Sequence, residues 1–144
     1  MHTDNAKITL KSIIDNLSDT GLPSDDREVA ESTAKGTLTV SARGAVLSFC
    51  EESEGAEIKT KIEILGDRVR VCRHGAIESD LLFSAGVAHA SVYGAVPYTF
   101  DMRIYTKKIR GSIGECGGVL DIFYDMEIGG AKKSVKMTVA CDID

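Results

Sequence analysis

The chain has 144 residues, 43% of them hydrophobic, with 17 Lys and Arg against 22 Asp and Glu for a formal net charge of -5. Its basic residues are scattered singly, which argues against nucleic acid or an anionic membrane surface as a partner. No apolar run approaches the roughly 18 residues of a spanning helix, and the N-terminal MHTDNAKITLKSIIDN lacks a basic region leading into an apolar one, so a cytoplasmic protein is expected.

A chain of this length buries roughly two-thirds of its unfolded surface, which predicts a single domain over 1–144, with 1–6 a flexible lead-in. Apolar and polar residues alternate with period two in segment after segment, the mark of half-buried strands. Strands are expected at 7–16, then at 27–35 and 37–41, or as one strand bulged at Gly36. The next is 46–52, and a two-residue loop at Arg43-Gly44 would set Val40 against Leu47 and Leu38 against Phe49. In 57–64, Ile58, Thr60, Ile62 and Ile64 share one face. A loop at Gly66-Asp67 then pairs Ile64 with Val69, Glu63 with Arg70 and Ile62 with Val71 across to strand 68–72, apolar facing apolar and plus facing minus.

The stretch VRVCRHGAIESDLLF, Val69 to Phe83, sets a cysteine beside an arginine and a histidine. A three-residue loop Arg73-His74-Gly75, with Gly75 supplying the left-handed conformation of a bulge, pairs Val71 with Ile77, Arg70 with Glu78 and Arg68 with Asp80. It makes 76–84 a strand with Leu81 and Phe83 inward. Segment 87–93 has no clearly apolar face, and Pro97 marks GAVPY as a turn or strand edge. Strand 98–109 places Tyr98, Phe100, Met102, Ile104 and Thr106 together. Strand 118–128 does the same for Leu120, Ile122, Tyr124, Met126 and Ile128. A Gly129-Gly130 loop sets Tyr124 against Val135 and Ile122 against Met137 in the last strand, 132–141.

So many sequential antiparallel strands must bury one apolar face each. The expected fold is therefore all-β, a single antiparallel meander barrel of 8–10 strands, with a two-sheet sandwich as the alternative.

The four cysteines, Cys50, Cys72, Cys116 and Cys141, show none of the short paired spacings of a zinc or redox motif, and free thiols are expected. Cys50 and Cys72 both point outward but from strands separated by 57–64, on the order of 16 Å apart at ordinary strand spacings, too far for a disulfide. His2, His74 and His89 have no reason to converge, so no metal is expected. No nucleophile elbow, phosphate-cradling glycine loop or nucleophile paired with a histidine is present; neither a catalytic residue nor a cofactor is expected.

The segments RHGAIESDLLFSAG, with Arg73, Gly75, Phe83 and Gly86, TKKI at Thr106 to Ile109, and FYDMEI at Phe123 to Ile128 resemble the YwiB-like family of small bacterial β-barrel proteins of unknown function. The turn AVPYT departs from it in lacking the glycine that similar chains carry after the aromatic. The resemblance implies an eight- to ten-stranded calycin- or lipocalin-like barrel and transfers no catalytic residue.

A barrel of this size is filled by side chains or holds one small ligand. Few aromatic residues and small wall residues such as Ala30, Ser32 and Ala34 suggest an apolar cavity open at one end. Polar-tipped inward groups, Thr60, Ser79, Tyr98, Thr106 and Tyr124, could orient a bound molecule. The expected site is Phe49, Phe100, Tyr98, Tyr124 and Met137, with Tyr98 near the rim and Tyr124 deeper, taking a small amphipathic or apolar ligand. The alternative is a protein-interaction module, such as a homodimer, acting through outward apolar residues: Val46, Tyr105 and Phe123.

Overall fold

The computed structural model describes residues 2–17, 23–53, 55–95 and 97–144. Ten strands follow in order: β1 (His2–Leu17), β2 (Pro23–Ser41), β3 (Gly44–Ser53), β4 (Ala56–Leu65), β5 (Arg68–Gly75), β6 (Glu78–Ser84), β7 (Ala88–Ala95), β8 (Tyr98–Gly114), β9 (Gly117–Ile128) and β10 (Ala131–Ile143). Each pairs antiparallel with its neighbours in sequence, and β1 pairs with β10 to close the barrel. The closed barrel is the all-β meander that the alternation predicts, and no helix among the described residues is long and apolar enough to cross a membrane. The first strand starts at His2, so residues 2–6, expected to be loose, are paired with β2.

Closure turns every apolar face inward into one core, in which Ile8, Leu47, Ile62, Val71, Phe83 and Ile122 are almost wholly buried. The odd-even assignment made along β4, β9 and β10 holds. Ile58, Thr60, Ile62 and Ile64 are buried, as are Leu120, Ile122 and Tyr124, and Val135, Met137, Val139 and Cys141. The expected registers at Gly66-Asp67 and Gly129-Gly130 are the observed ones: Ile64 faces Val69, Glu63 faces Arg70, Tyr124 faces Val135 and Ile122 faces Met137.

Two hairpins differ from expectation, and for one reason. At the first, the loop is Ala42-Arg43, Gly44 is already paired with Ser41, and Leu38 lies opposite Leu47 rather than Phe49. At the second, Val71 lies opposite Leu81, Arg70 opposite Leu82 and Arg73 opposite Ser79, a shift of four residues from the pairing with Ile77 and Glu78. Neither glycine makes the turn it was assigned. Each is the end residue of a strand, Gly44 the first of β3 and Gly75 the last of β5, at positive φ, where a Cβ would sit 2.0 Å from the Ile64 carbonyl oxygen (Gly44) or 2.5 Å from that of Glu57 (Gly75). The close approach of β4 requires them. The shifts are by even numbers of residues, so every side chain keeps its face.

Arg70 therefore faces Glu63 as expected but bonds Asp80 on its other side, with Nε 2.8 Å from Oδ1. Glu78 instead holds the turn, accepting from the Gly75 amide at 3.1 Å with His74 Nδ1 at 2.7 Å.

Residues 27–35 and 37–41 form one strand, and its pairing with β1 runs through Gly36 without the suspected bulge. Register shifts occur instead between Asp15 and Leu17 and between Thr106 and Lys108. The ambiguous segment 87–93 belongs to β7, which pairs with β8 along its length but with β6 at only two positions, Gly94 and Tyr93.

Candidate functional site

The strands alternate in direction, so the C-terminal ends of β3, β5, β7 and β9 and the N-terminal ends of β4, β6, β8 and β10 gather at one end of the barrel, called here the upper end. The lower interior is filled by aliphatic side chains together with the buried Phe83. Toward the upper end, β2 and β3 part: they pair only from Gly36 opposite Phe49 down to the Ala42-Arg43 loop. Above that point lies a cavity of ≈ 410 Å³, walled by Leu10, Ile14, Ile58, Ile77 and Tyr93, in the lower part of the range of about 300–1,000 Å³ for small-molecule sites.

Two charged side chains turn into this cavity. Glu51 continues the inward series Ala45, Leu47, Phe49 along β3, and Arg73 continues Val69, Val71 along β5. Glu51 accepts from the Thr60 hydroxyl at 2.6 Å and from Ser32 at 3.1 Å, which ties β3 across the open seam to β2. Arg73 Nε lies 3.4 Å from Glu51 Oε2, with the two side chains only 21% and 13% exposed, so the pair sits within the mouth rather than on the rim.

Arg73 belongs to a row of cross-strand neighbours on the inner face, Phe49, Thr60, Arg73, Ser79, Tyr93 and Phe100. The Ser79 hydroxyl in that row is buried with no hydrogen-bond partner among the described residues. Larger hollows occur on the outer wall, one of ≈ 590 Å³ around Lys35, Cys50, Lys59 and Cys72, but their charged side chains point to solvent.

The expected site residues do not gather in one place. Phe49 and Met137 are buried core residues. Tyr124 is buried with its ring 4.8 Å from that of Phe83; burial pushes its phenol up to about 12, while the positive charge of nearby Arg73 pulls the other way. Tyr124 thus lies deep, as expected, beneath the charged mouth. Tyr98 and Phe100 instead stand on the surface, 65% and 41% exposed and stacked on each other at 6.3 Å. They share the inward parity of Met102 and Ile104, but β9 ends at Ile128 opposite Met102, so no strand covers them.

Among the polar-tipped set, Thr60 bonds Glu51, and the Thr106 hydroxyl accepts from the Ser84 amide at 3.3 Å. Glu51 and Arg73 themselves were missed. Extending the alternation by two residues past Phe49 and Val71 is the signal that finds them; reading Arg73 as a loop residue hid it.

Among the described residues no group of three His, Cys, Asp or Glu side chains is placed to hold a metal ion. The four cysteines are free thiols, with Cys50 and Cys116 exposed and Cys141 buried. Of the outward apolar residues, Phe123 is flanked by Arg110 at 5.3 Å and Lys136 at 5.6 Å from its ring centre. Val46 lies on β3, separated from Phe123 on β9 by β2, β1 and β10, so the three do not form one patch.

Residues 9–138 match the family described as a domain of unknown function, DUF1934. The chain belongs to this family. It is 28% identical over 104 residues to the uncharacterized β-barrel protein YwiB of Bacillus subtilis (strain 168), an alignment that covers 72% of this chain and 73% of YwiB. The barrel superposes on the crystal structure of the ywiB protein from Bacillus subtilis with a TM-score of 0.83 at 25% identity, covering 99% of this chain and 93% of the other. The family resemblance in the strand and turn segments is thereby shown. Family membership brings a fold and no established activity.

Proposed function

We propose that the protein is a non-enzymatic binder of one small amphipathic molecule, held in the upper mouth of the barrel. The observation that carries this reading is the Glu51–Arg73 pair turned into a cavity that also has an apolar wall, Leu10, Ile14, Ile58 and Ile77, beside the polar Ser12, Ser32, Glu31 and Glu52. Drawing charges out of water costs several kcal/mol per ion even after relaxation, and apolar replacements of such pairs are often as stable or more so. Stability alone therefore gives no reason to place them there; an apolar wall with a polar anchor is what an amphipathic ligand requires. Native mass spectrometry of protein purified without detergent from the cells that make it tests the reading. A mass excess of one small organic molecule per chain is expected, and it is lost in Ala30→Trp, which fills the mouth from its exposed edge. A population with no excess mass, in the natural protein as in the variant, contradicts it.

A second reading has one observation in its favour. The stacked Tyr98–Phe100 pair and Val92, 52% exposed, leave apolar surface near the 95–98 turn, as a contact surface for another protein or a second copy would. Sedimentation of the natural protein and of Tyr98→Ser/Phe100→Ser distinguishes it: a mass above the monomer that falls in the double variant supports it, and a monomer in both removes the second copy as the partner.

A further inference from the structure

We infer that the molecule held in the mouth is an acid, a carboxylate on a short apolar body, with its anionic group on Arg73; this rests on the binding reading above. The donors and acceptors at the mouth are unequal. Both oxygens of Glu51 are occupied, Oε1 by Ser32 and Oε2 by Thr60 and the edge of Arg73. Arg73 makes no other ion pair or hydrogen bond among the described residues, and a guanidinium has five N–H donors in a planar fork that fits a carboxylate with two parallel bonds. The site thus has a satisfied anion and an unsatisfied cation.

Directly across the ladder from Arg73 lies Ser79, whose buried hydroxyl has no partner among the described residues, but it lines the neighbouring hollow with Val92 and Tyr98 rather than this cavity. Leu10 and Ile14 on β1, across the cavity, and Ile58 on β4 beside the strand of Arg73 offer the apolar body a wall. Glu31 and Glu52 also line the opening, but both are exposed and screened by solvent, and Glu31 is paired in register with Lys11. They shape the approach more than the anchored end.

Three probes with the same eight-carbon body separate the possibilities: octanoate, 1-octanol and octylammonium, titrated into the natural protein at neutral pH. The amide resonances of Ile14, Ile58, Ile77 and Tyr93 and the methyl resonances of the three isoleucines report the site. Octanoate is expected to bind at least about tenfold more tightly than octanol, the least that a desolvated charge-assisted pair contributes, and octylammonium more weakly than either.

Arg73→Gln should reduce octanoate to the affinity of octanol. Glu51→Gln, whose amide accepts from one of the Ser32 and Thr60 hydroxyls and donates to the other, removes the competing charge and should raise octanoate affinity, and it keeps the inference testable if the arginine variant does not fold. Equal binding of octanoate and octanol at these resonances overturns the acid while leaving the ligand reading in place. Tightest binding by octylammonium overturns it in favour of a cation on Glu51. Unmoved resonances with all three overturn both.

Discussion

Asp121 is an outward carboxylate held by two partners. Its carboxylate accepts from the Thr138 hydroxyl at 2.6 Å and from Arg110 at 3.3 Å, and these bonds, the Thr138 one first, hold its pKa below the ordinary carboxylate value. A depressed carboxylate contributes stability that is present above its unfolded pKa, near about 3.9, and is lost as pH falls through the lower folded value. Asp121→Asn is therefore expected to cost about 1–2 kcal/mol at neutral pH, as loss of a hydrogen bond to a charged group does, and to flatten the acid limb of a urea-stability profile below pH about 4. An unchanged limb would assign that limb to other carboxylates.

Thiol chemistry gives a second residue-scale prediction. Cys50 and Cys116 are exposed and Cys141 is buried; burial first, and then the Asp80 charge, push the Cys72 thiol up. Since the thiolate is the reacting species, iodoacetamide should alkylate Cys50 and Cys116 first, Cys72 more slowly and Cys141 only on unfolding, in an order that peptide mass mapping reads. The residues most telling about function were the least legible. Glu51 and Arg73 obey the same parity as their apolar neighbours, but charge on an inward position looks like the end of a strand until the open seam beside it is known.

At the scale of the strands, faces were legible and two of the turns were not. Gly66-Asp67 and Gly129-Gly130 are turns, so pairing outward from them gave the observed registers. Gly44 and Gly75 are glycines because β4 passes too close for a Cβ, and single-strand alternation contains nothing about that distance. Gly44→Ala, at positive φ with its Cβ against the Ile64 carbonyl, is expected to cost at least about 1–2 kcal/mol, measured by denaturant unfolding; if Gly44 were the loop residue of the sequence reading, the cost would be smaller. The seam between β6 and β7, with its two pairings, should be the least protected part of the barrel wall. Seam-facing amides of Leu81–Phe83 and Ser91–Val92 should exchange with deuterium orders of magnitude faster than those shared by β9 and β10, as weakly paired segments do.

For the whole molecule, closure was legible because every strand showed one apolar face and consecutive strands shared short turns; a barrel buries all those faces and leaves no edge. Where the closed wall parts could not be read, because it depends on how far each strand outruns its neighbours. Strand β8 outruns β9, which puts Tyr98 and Phe100 outside, and the upper half of β2 leaves β3, which opens the mouth over Arg73. The claim that this mouth is a binding site is tested most directly by a crystal structure of the protein purified without detergent from its own cells. The account predicts density for a small molecule between Arg73 and the wall of Leu10 and Ile14. A mouth holding only solvent, with the Arg73 fork turned fully onto Glu51, would contradict it.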